Sequence, residues 1–375
     1  MIFSGGGQGG GQGGGQGGGQ GGGQGGGQGG GQGGGQGGGQ SHAGGSYGPQ
    51  LSYAIASTHD GVGGPWDLRA DPGYSAARPR PGPADLDYRE APGRIGMLAS
   101  AIRSAISVAP AGVGSAIVTS GNATLLKISR PADGVDLSPQ LDFVRAYSDL
   151  RGDRTGEILE QTGDLASFFG AALMLDRGGR RRSLELLAAV QLATIDIEQQ
   201  VKHLTWLHRP IDLDARIMPI IQTPDHSAYP SGHATEAFAL ATVLHRLASE
   251  GPEGPLAGIA ASAIPFRIAH RIAVNRTVAG VHYPIDSMAG AMLGCAIGDA
   301  IFAMTEGEGV GAVSMSVADA GGMPVDADFT RTGLADRLEA AAAAEPVADV
   351  PDYLVAAWKR ARGEWAVSEH EDVGQ

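Results

Sequence analysis

Lys202-His-Leu-Thr-Trp-Leu-His-Arg209-Pro210, Pro230-Ser231-Gly232-His233 and Arg276-Thr-Val-Ala-Gly-Val-His282-Tyr-Pro-Ile-Asp286 are three polar clusters within 85 residues, each set between apolar stretches. The stretch before the first cluster decides the fold class. Leu186, Val190, Ala193, Ile197, Val201 and Leu204 step by threes and fours, which is the core-facing stripe of an amphipathic helix. That helix is expected to start at Ser183 as its cap and to stop near Arg209, because the residue before Pro210 is pushed out of the α region. Further helices are expected over Ala234–Ser249, Pro255–Ala273 and Pro284–Met304.

Outward from this centre the same pattern continues. Helices are expected over Arg94–Val108, over Thr155–Asp176, and from Ser138 to Leu150. For the last of these, Ser138 and Pro139 make a start signal. Ile117–Ile128 reads as a loop or short strand, and Thr332–Ala344 and Pro351–Trp365 as two later helices. Strand signals are sparse. The expected fold class is all-α, a helical bundle of six or more helices behind an irregular N-terminal segment. Residues 5–40 are nine copies of Gly-Gly-Gly-Gln, a composition that buries no apolar surface and has no part in a core. The expected organisation is a low-complexity tract over 1–40, a Gly/Pro-rich extended segment over 41–93, a helical domain over 94–305 and an extension over 306–375 with one or two helices. A chain beginning at Ser41 is expected to keep fold and activity.

The three clusters supply three cations, two histidines, a hydroxyl and a carboxylate. Lys202 and Arg209 lie seven residues apart on the long helix and so share a face; alone, this pair reads better as a solvated basic face. Pro230-Ser231-Gly232-His233 precedes a helix. There, unpaired amides and the dipole favour an anion, although Ser231 as an ordinary cap fits equally. Asp286, four residues after His282, can cap the helix that Pro284 opens. It can also accept a hydrogen bond from one imidazole nitrogen of His282, leaving the other as nucleophile or ligand. Arg276 can grip oxyanion oxygens in a bidentate way. His203, His208 and His226 read as surface or supporting groups, His226 being the nearest to the second cluster.

Composition narrows the function. The formal net charge of −13 excludes a general binder of nucleic acid or anionic membrane. A small anionic substrate would need a local cationic site, which the clusters offer. The single cysteine, Cys295, excludes an intrachain disulfide and a multi-cysteine zinc site. No stretch reads as a transmembrane span and no signal peptide is visible, so a soluble protein is expected, its compartment and oligomeric state open.

Taken together and in this order, the motifs Lys-x6-Arg-Pro, Pro-Ser-Gly-His and Arg-x5-His-x3-Asp resemble those of the superfamily of type 2 phosphatidic acid phosphatases (PAP2) and vanadium-dependent haloperoxidases. The resemblance spans Lys202–Asp286, with helical flanks from Arg94 to Met304. It implies His282 as nucleophile on phosphorus, or as ligand of vanadate, and His233 as general acid. It further implies Asp286 as the group orienting His282, with Lys202, Arg209, Ser231, Gly232 and Arg276 binding the oxyanion. Asn275 stands where the family commonly has serine. The implied activity is a metal-independent phosphatase without a cofactor, acting through a phosphohistidine. The alternatives are a vanadate-dependent haloperoxidase using the same site, and a non-catalytic oxyanion-binding protein. Ala228-Tyr-Pro-Ser-Gly-His-Ala-Thr235 is closer to the haloperoxidase form of the second motif, whereas the short spacing between the first two clusters is closer to the compact phosphatases.

Overall fold

The computed structural model describes residues 89–249, 254–306, 315–316, 323–340 and 346–366, with Tyr53, residues 56–58 and Leu86. The Gly-Gly-Gly-Gln tract and most of the 41–93 segment lie outside the described residues. The chain divides into two compact units, residues 12–94 and residues 95–375 with 1–11. In the first, the Arg94 guanidinium donates to the Leu86 carbonyl at 3.4 Å. All the functional residues belong to the second, which is a helical bundle with a small sheet.

In chain order the elements are α1 (Ala91–Ala105), β1 (Ser107–Gly112), β2 (Ser115–Ser120), β3 (Ala123–Ser129), α2 (Ser138–Tyr147), α3 (Arg151–Glu160), α4 (Ala166–Leu173) and α5 (Arg181–Leu204). There follow α6 (Pro210–Leu213), α7 (Gly232–Ala248), α8 (Pro255–Ala260), α9 (Ile264–Val278), α10 (Pro284–Thr305), β4 (Met315–Ser316), α11 (Arg331–Ala335), β5 (Glu339–Ala340) and α12 (Asp352–Gly363).

The core is built on α7 and α10. Every residue of α10 is buried, and so are nearly all those of α7. Such close packing needs small residues at the contact, since helix separation follows side-chain size. A Cβ on Gly290 would stand 2.4 Å from the Ser231 carbonyl oxygen, and one on Gly294 2.3 Å from that of Thr235. By length and composition α10 would also suit a membrane, yet its whole apolar window is buried among its neighbours, so the core accounts for its character. On the flanks of α7 lie α5 and α9. The apolar stripe read from the sequence is inward: Leu186, Val190, Ala193, Ile197 and Val201 of α5 are buried, and Leu204 at its end is partly buried.

Several elements differ from the sequence reading. The Ile117–Ile128 stretch, read as a loop or short strand, spans most of β2 and β3 in a three-stranded antiparallel sheet, β1-β2-β3, in which Val118 pairs with both Val108 and Leu126. On β2, Ala116, Val118 and Ser120 alternate inward, a period-2 signal too short to stand out among helices. The expected Thr155–Asp176 helix is two, α3 and α4, parted by a turn in which Thr162 and Gly163 donate back to the carbonyls of Leu159 and Glu160. Instead of reaching Arg209, α5 stops at Leu204. The next backbone groups pair with residues 227–229: Leu207 N–H donates to Ser227 Oγ at 3.0 Å, and Ala228 N–H to the Leu207 carbonyl at 3.0 Å. Ser183 does not cap α5 with its own side chain. The Glu364 carboxylate does, accepting from the N–H groups of Arg182 at 2.7 Å and Ser183 at 2.8 Å, where negative charge meets the positive helix end. Likewise, Ser138 is the first residue of α2, the cap position being Leu137. The expected Pro255–Ala273 helix is also two, α8 and α9. Ser262 between them adopts φ 55°, and Pro265 lacks the N–H that would carry a continuous helix through. The expected Thr332–Ala344 helix is the short α11, after which Glu339–Ala340 pairs with Met315–Ser316; residues 341–345 lie outside the described residues. The C-terminal α12 docks on the bundle through Trp358, fully buried, edge-on to Phe302 at 5.8 Å.

Candidate active site

The three clusters converge at the α7–α10 contact. Ser231 caps α7, its Oγ accepting from the Ala234 N–H at 3.5 Å, and its own N–H donates to the Asp286 carbonyl at 2.9 Å. One backbone bond thus ties the second cluster to the third. Gly232 opens α7, and a Cβ there would stand 2.5 Å from Glu198 Oε1, so a larger residue would have to displace that carboxyl. The Lys202 ammonium reaches the same turn and donates to the Ser227 carbonyl at 3.1 Å and to that of Pro230.

Arg209 is not on the helix of Lys202. It lies in extended backbone at the start of α6, held by its N–H on Asp212 Oδ2 at 2.8 Å. From there its guanidinium donates to the carbonyls of His226 at 3.1 Å and Val281 at 2.9 Å. It also meets His282 Nε2 at 3.0 Å and His226 Nδ1 at 3.1 Å. The two cations meet at one site through tertiary structure, and the shared helical face has no role. His226, read from sequence as a surface or supporting group, holds Arg209 in place. The only signal for it was its position in the loop leading to Ser231.

Asp286 fills both roles considered for it with one oxygen. Its Oδ2 accepts from the Tyr283 N–H at 2.9 Å, capping α10, and lies 3.1 Å from His282 Nδ1. The protonation follows from the donors. A guanidinium only donates, so His282 Nε2, 3.0 Å from Arg209, must be the acceptor. The imidazole proton is therefore on Nδ1 and Asp286 Oδ2 receives it; burial raises the Asp286 carboxyl to about 8, against the Tyr283 N–H, Arg209 and Lys202, which favour its ionised form. Burial lowers the pKa of His282, and Arg209 and Lys202 lower it further, so the ring is neutral with its Nε2 lone pair facing the cations. Burial and then Arg276 likewise hold His233 well below the usual histidine range. Its Nε2 meets the Gln161 carbonyl at 3.0 Å, which leaves Nδ1 as the second working nitrogen.

Arg276, on the last turn of α9, donates through Nη2 to the Ile158 carbonyl at 3.3 Å and to Gln161 Oε1 at 2.9 Å. Its Nε and Nη1 are buried with no hydrogen-bond partner, as is Gln161 Nε2. Buried donors are rarely left unpaired, and a cluster of them beside two further cations has the chemistry of an oxyanion hole. Gly280, at φ +86°, makes the turn between Arg276 and His282 in a conformation that glycine adopts without strain. Asn275 donates to Gln161 Oε1 at 3.1 Å and accepts from Arg154 at 3.1 Å. The residue that departs from the family pattern thus supports Arg276 indirectly.

Beneath the cations lie two buried carboxyls, Glu198 and Glu236, which the sequence reading did not single out. Burial raises Glu198 to about 7, against the pull of Lys202, Gln199 and Arg209. Burial also raises Glu236, and Glu198 adds to it. Burial, then Arg209, lowers Lys202, opposed by Glu198, Asp286 and Glu236. Because the folded pKa of Glu198 lies above its ordinary value of 4.5, the folded state binds the extra proton. The contribution to stability is full below about pH 4.5 and is lost as pH rises to about 7. Glu198→Gln removes that loss. The melting temperature of the variant minus that of the parent is expected to rise from pH 4.5 to pH 7.5; the histidines titrate in both proteins and cancel. A flat or falling difference would show that Glu198 is already ionised at low pH.

Among the described residues no group of three or more His, Cys, Asp or Glu side chains is placed to hold a metal ion. A tetrahedral oxyanion fits better, whether phosphate or vanadate. The donors are cationic or neutral N–H groups, and the imidazole lone pair suits an electrophilic centre.

Fold and site together define an all-α bundle enclosing a buried cluster of two histidines and three cationic side chains. The family model of the PAP2 superfamily matches residues 183–309, and this stretch of the chain belongs to that superfamily. Among solved structures, the chain is similar to the crystal structure of the first bacterial vanadium-dependent iodoperoxidase, at 18% identity and a TM-score of 0.29. That similarity covers 45% of this chain and 49% of the other, so the chain spans about half the length of that protein. No curated protein matches the chain.

Proposed function

We propose that the protein is a metal-independent phosphatase that hydrolyses phosphate monoesters through a phosphohistidine at His282. Membership of the PAP2 superfamily supports an enzyme of phosphatase or haloperoxidase type. The observation that carries the finer reading is the His282 geometry: Nδ1–H on the Asp286 carboxylate and an Nε2 lone pair 3.0 Å from Arg209. A neutral, oriented imidazole beside cations is a nucleophile for an anionic phosphoryl group.

The steps follow from the side chains. Lys202, Arg209, Arg276 and the amides at the start of α7 take the phosphoryl oxygens, offsetting the substrate's charge. Phosphoryl oxygens are stronger acceptors than an imidazole nitrogen. Arg209 turns its N–H groups to them and releases the Nε2 lone pair. Nε2 forms the bond to phosphorus as the ester P–O bond breaks, and protonated His233 gives its proton to the leaving oxygen. Water then attacks the phosphohistidine while His233 takes a proton from it; the N–P bond breaks and phosphate leaves. Burial lowers the pKa of His233, so it gains its proton with the phosphate dianion at hand, and activity is expected to fall as pH rises.

The test is turnover of an aryl phosphate with EDTA present, with orthophosphate and vanadate as inhibitors. Activity that survives EDTA, with both anions competing for one site, is the expected result. Loss on chelation with recovery on adding zinc or magnesium would overturn it. The haloperoxidase form of Ala228–Thr235 favours a second reading. If the protein hydrolyses no ester but oxidises halide when given vanadate and peroxide, that reading replaces the first. His282 would then hold the vanadate, whose chemistry when bound is the activation of peroxide.

A further inference from the structure

Gln161 lies outside all three clusters and outside the 183–309 stretch matched by the family, at the C-terminal end of α3. It is 1% exposed, and both its backbone and its side chain touch the site. Its carbonyl accepts from His233 Nε2 at 3.0 Å. Its Oε1 accepts from Arg276 Nη2 at 2.9 Å and from Asn275 Nδ2 at 3.1 Å. Arg154 fixes Asn275 by donating to Asn275 Oδ1 at 3.1 Å, so the amide of Asn275 presents its NH2 to Gln161. With two donors on its oxygen, the Gln161 amide has a single satisfactory orientation: Oε1 accepts from Arg276 and Asn275, and Nε2 is left to donate elsewhere. That nitrogen is buried and has no partner, and neither do Nε and Nη1 of the neighbouring Arg276. An unpaired buried N–H is costly, and these three groups, on two touching side chains, each call for an acceptor.

We propose that Gln161 is a binding residue of the oxyanion site, its Nε2 donating to an oxygen of the bound tetrahedral anion alongside Arg276. This rests on the oxyanion reading of the site, whether the enzyme turns out to be a phosphatase or a haloperoxidase. Gln161 also links α3 to both working halves of the site, since it grips Arg276 with one end and orients His233 with the other. Its side chain is neutral, so it adds a donor without adding charge, in a place where a fourth cation would further depress the two histidines.

Two variants separate donation from mere support. Gln161→Glu keeps the length and the acceptor for Arg276 and Asn275, but puts a carboxylate oxygen where the NH2 was. Gln161→Met removes both. Binding of orthophosphate and of vanadate is measured by calorimetry on the full chain, without any turnover. The expected result is at least a tenfold loss of affinity in both variants, larger in Gln161→Glu. If Gln161→Glu binds as the parent does while Gln161→Met is weakened, the residue only supports Arg276 and the proposal is wrong. Equal binding by all three proteins overturns it as well. Should a variant fail to fold, the parent answers alone: the Gln161 side-chain NH2 signal, assigned through bonds to its backbone, is expected to shift on saturation with phosphate, and an unmoved signal overturns the proposal. A parent that binds both anions but hydrolyses no ester would fail the phosphatase reading and leave the Gln161 result intact.

Discussion

A His282→Ala variant is expected to hydrolyse no phosphomonoester, whatever the leaving group. The reason is the separation of tasks around the anion. In the proposed mechanism Nε2 of His282 is the atom that bonds phosphorus, and the opposite nitrogen of its ring lies 3.1 Å from Asp286 Oδ2. His233 acts differently. A general acid contributes about 10²–10⁴-fold, and only where the leaving oxygen needs a proton. The His233→Ala variant is therefore expected to lose that much on alkyl phosphates and far less on an activated aryl phosphate, on which a phosphoenzyme should be trapped. Near-normal turnover by the His282 variant would refute the assignment. So would equal losses by the His233 variant on both kinds of ester.

The second large effect concerns a residue that touches no substrate. Gly290→Ala is expected to destabilise the fold by about 3 kcal/mol or more, at the upper end of overpacking costs, and to weaken phosphate binding in whatever protein remains folded. The new Cβ would stand 2.4 Å from the Ser231 carbonyl and 2.9 Å from the Ala234 side chain. A backbone carbonyl cannot rotate away as a side chain can, so α7 and α10 must separate. The bond from Ser231 N–H to the Asp286 carbonyl, 2.9 Å, spans that same contact and would lengthen with it. Urea unfolding together with calorimetric binding of phosphate checks both halves. An unchanged midpoint and affinity would mean that the helices can slide without cost. Gly96 on α1 supplies the control, since a Cβ there meets nothing within 4 Å. Gly96→Ala should leave the affinity unchanged and the midpoint no lower, alanine being the better helix former.

The helices and the chemistry of the clusters were legible because both are local. The stripe from Leu186 to Leu204 repeats at the helical period; its members are buried in the fold except Leu204, which is partly buried. Pro284 marks the first residue of α10, where a missing N–H costs nothing. His282 and Asp286 lie four residues apart, close enough for one helix start to bring them together. By contrast, the helical phase argument for Lys202 and Arg209 failed because Thr205–His208 pairs with another part of the chain. Its partners, Ser227 and Ala228, lie some twenty residues away, and no local rule names them. Of the β1–β3 sheet only Ile117–Ile128 was read, as a loop or short strand, for a related reason: short strands owe their stability to partners across the sheet, so their own residues carry little of the signal.

By itself the sequence singled out the candidate groups for the chemistry, since histidine, arginine, lysine and aspartate each have a narrow range of roles and the motif order limits them further. Only the tertiary structure decided where those groups meet and what assists them. Arg209 reaches His282 across 73 residues, Gln161 reaches Arg276 across 115, and Glu364 caps α5 from 181 residues away at Ser183. Such contacts are selected by the packing of α7 against α10 and by the cost of burying an unpaired polar group, which depend on the whole fold at once and leave no periodic trace along the chain.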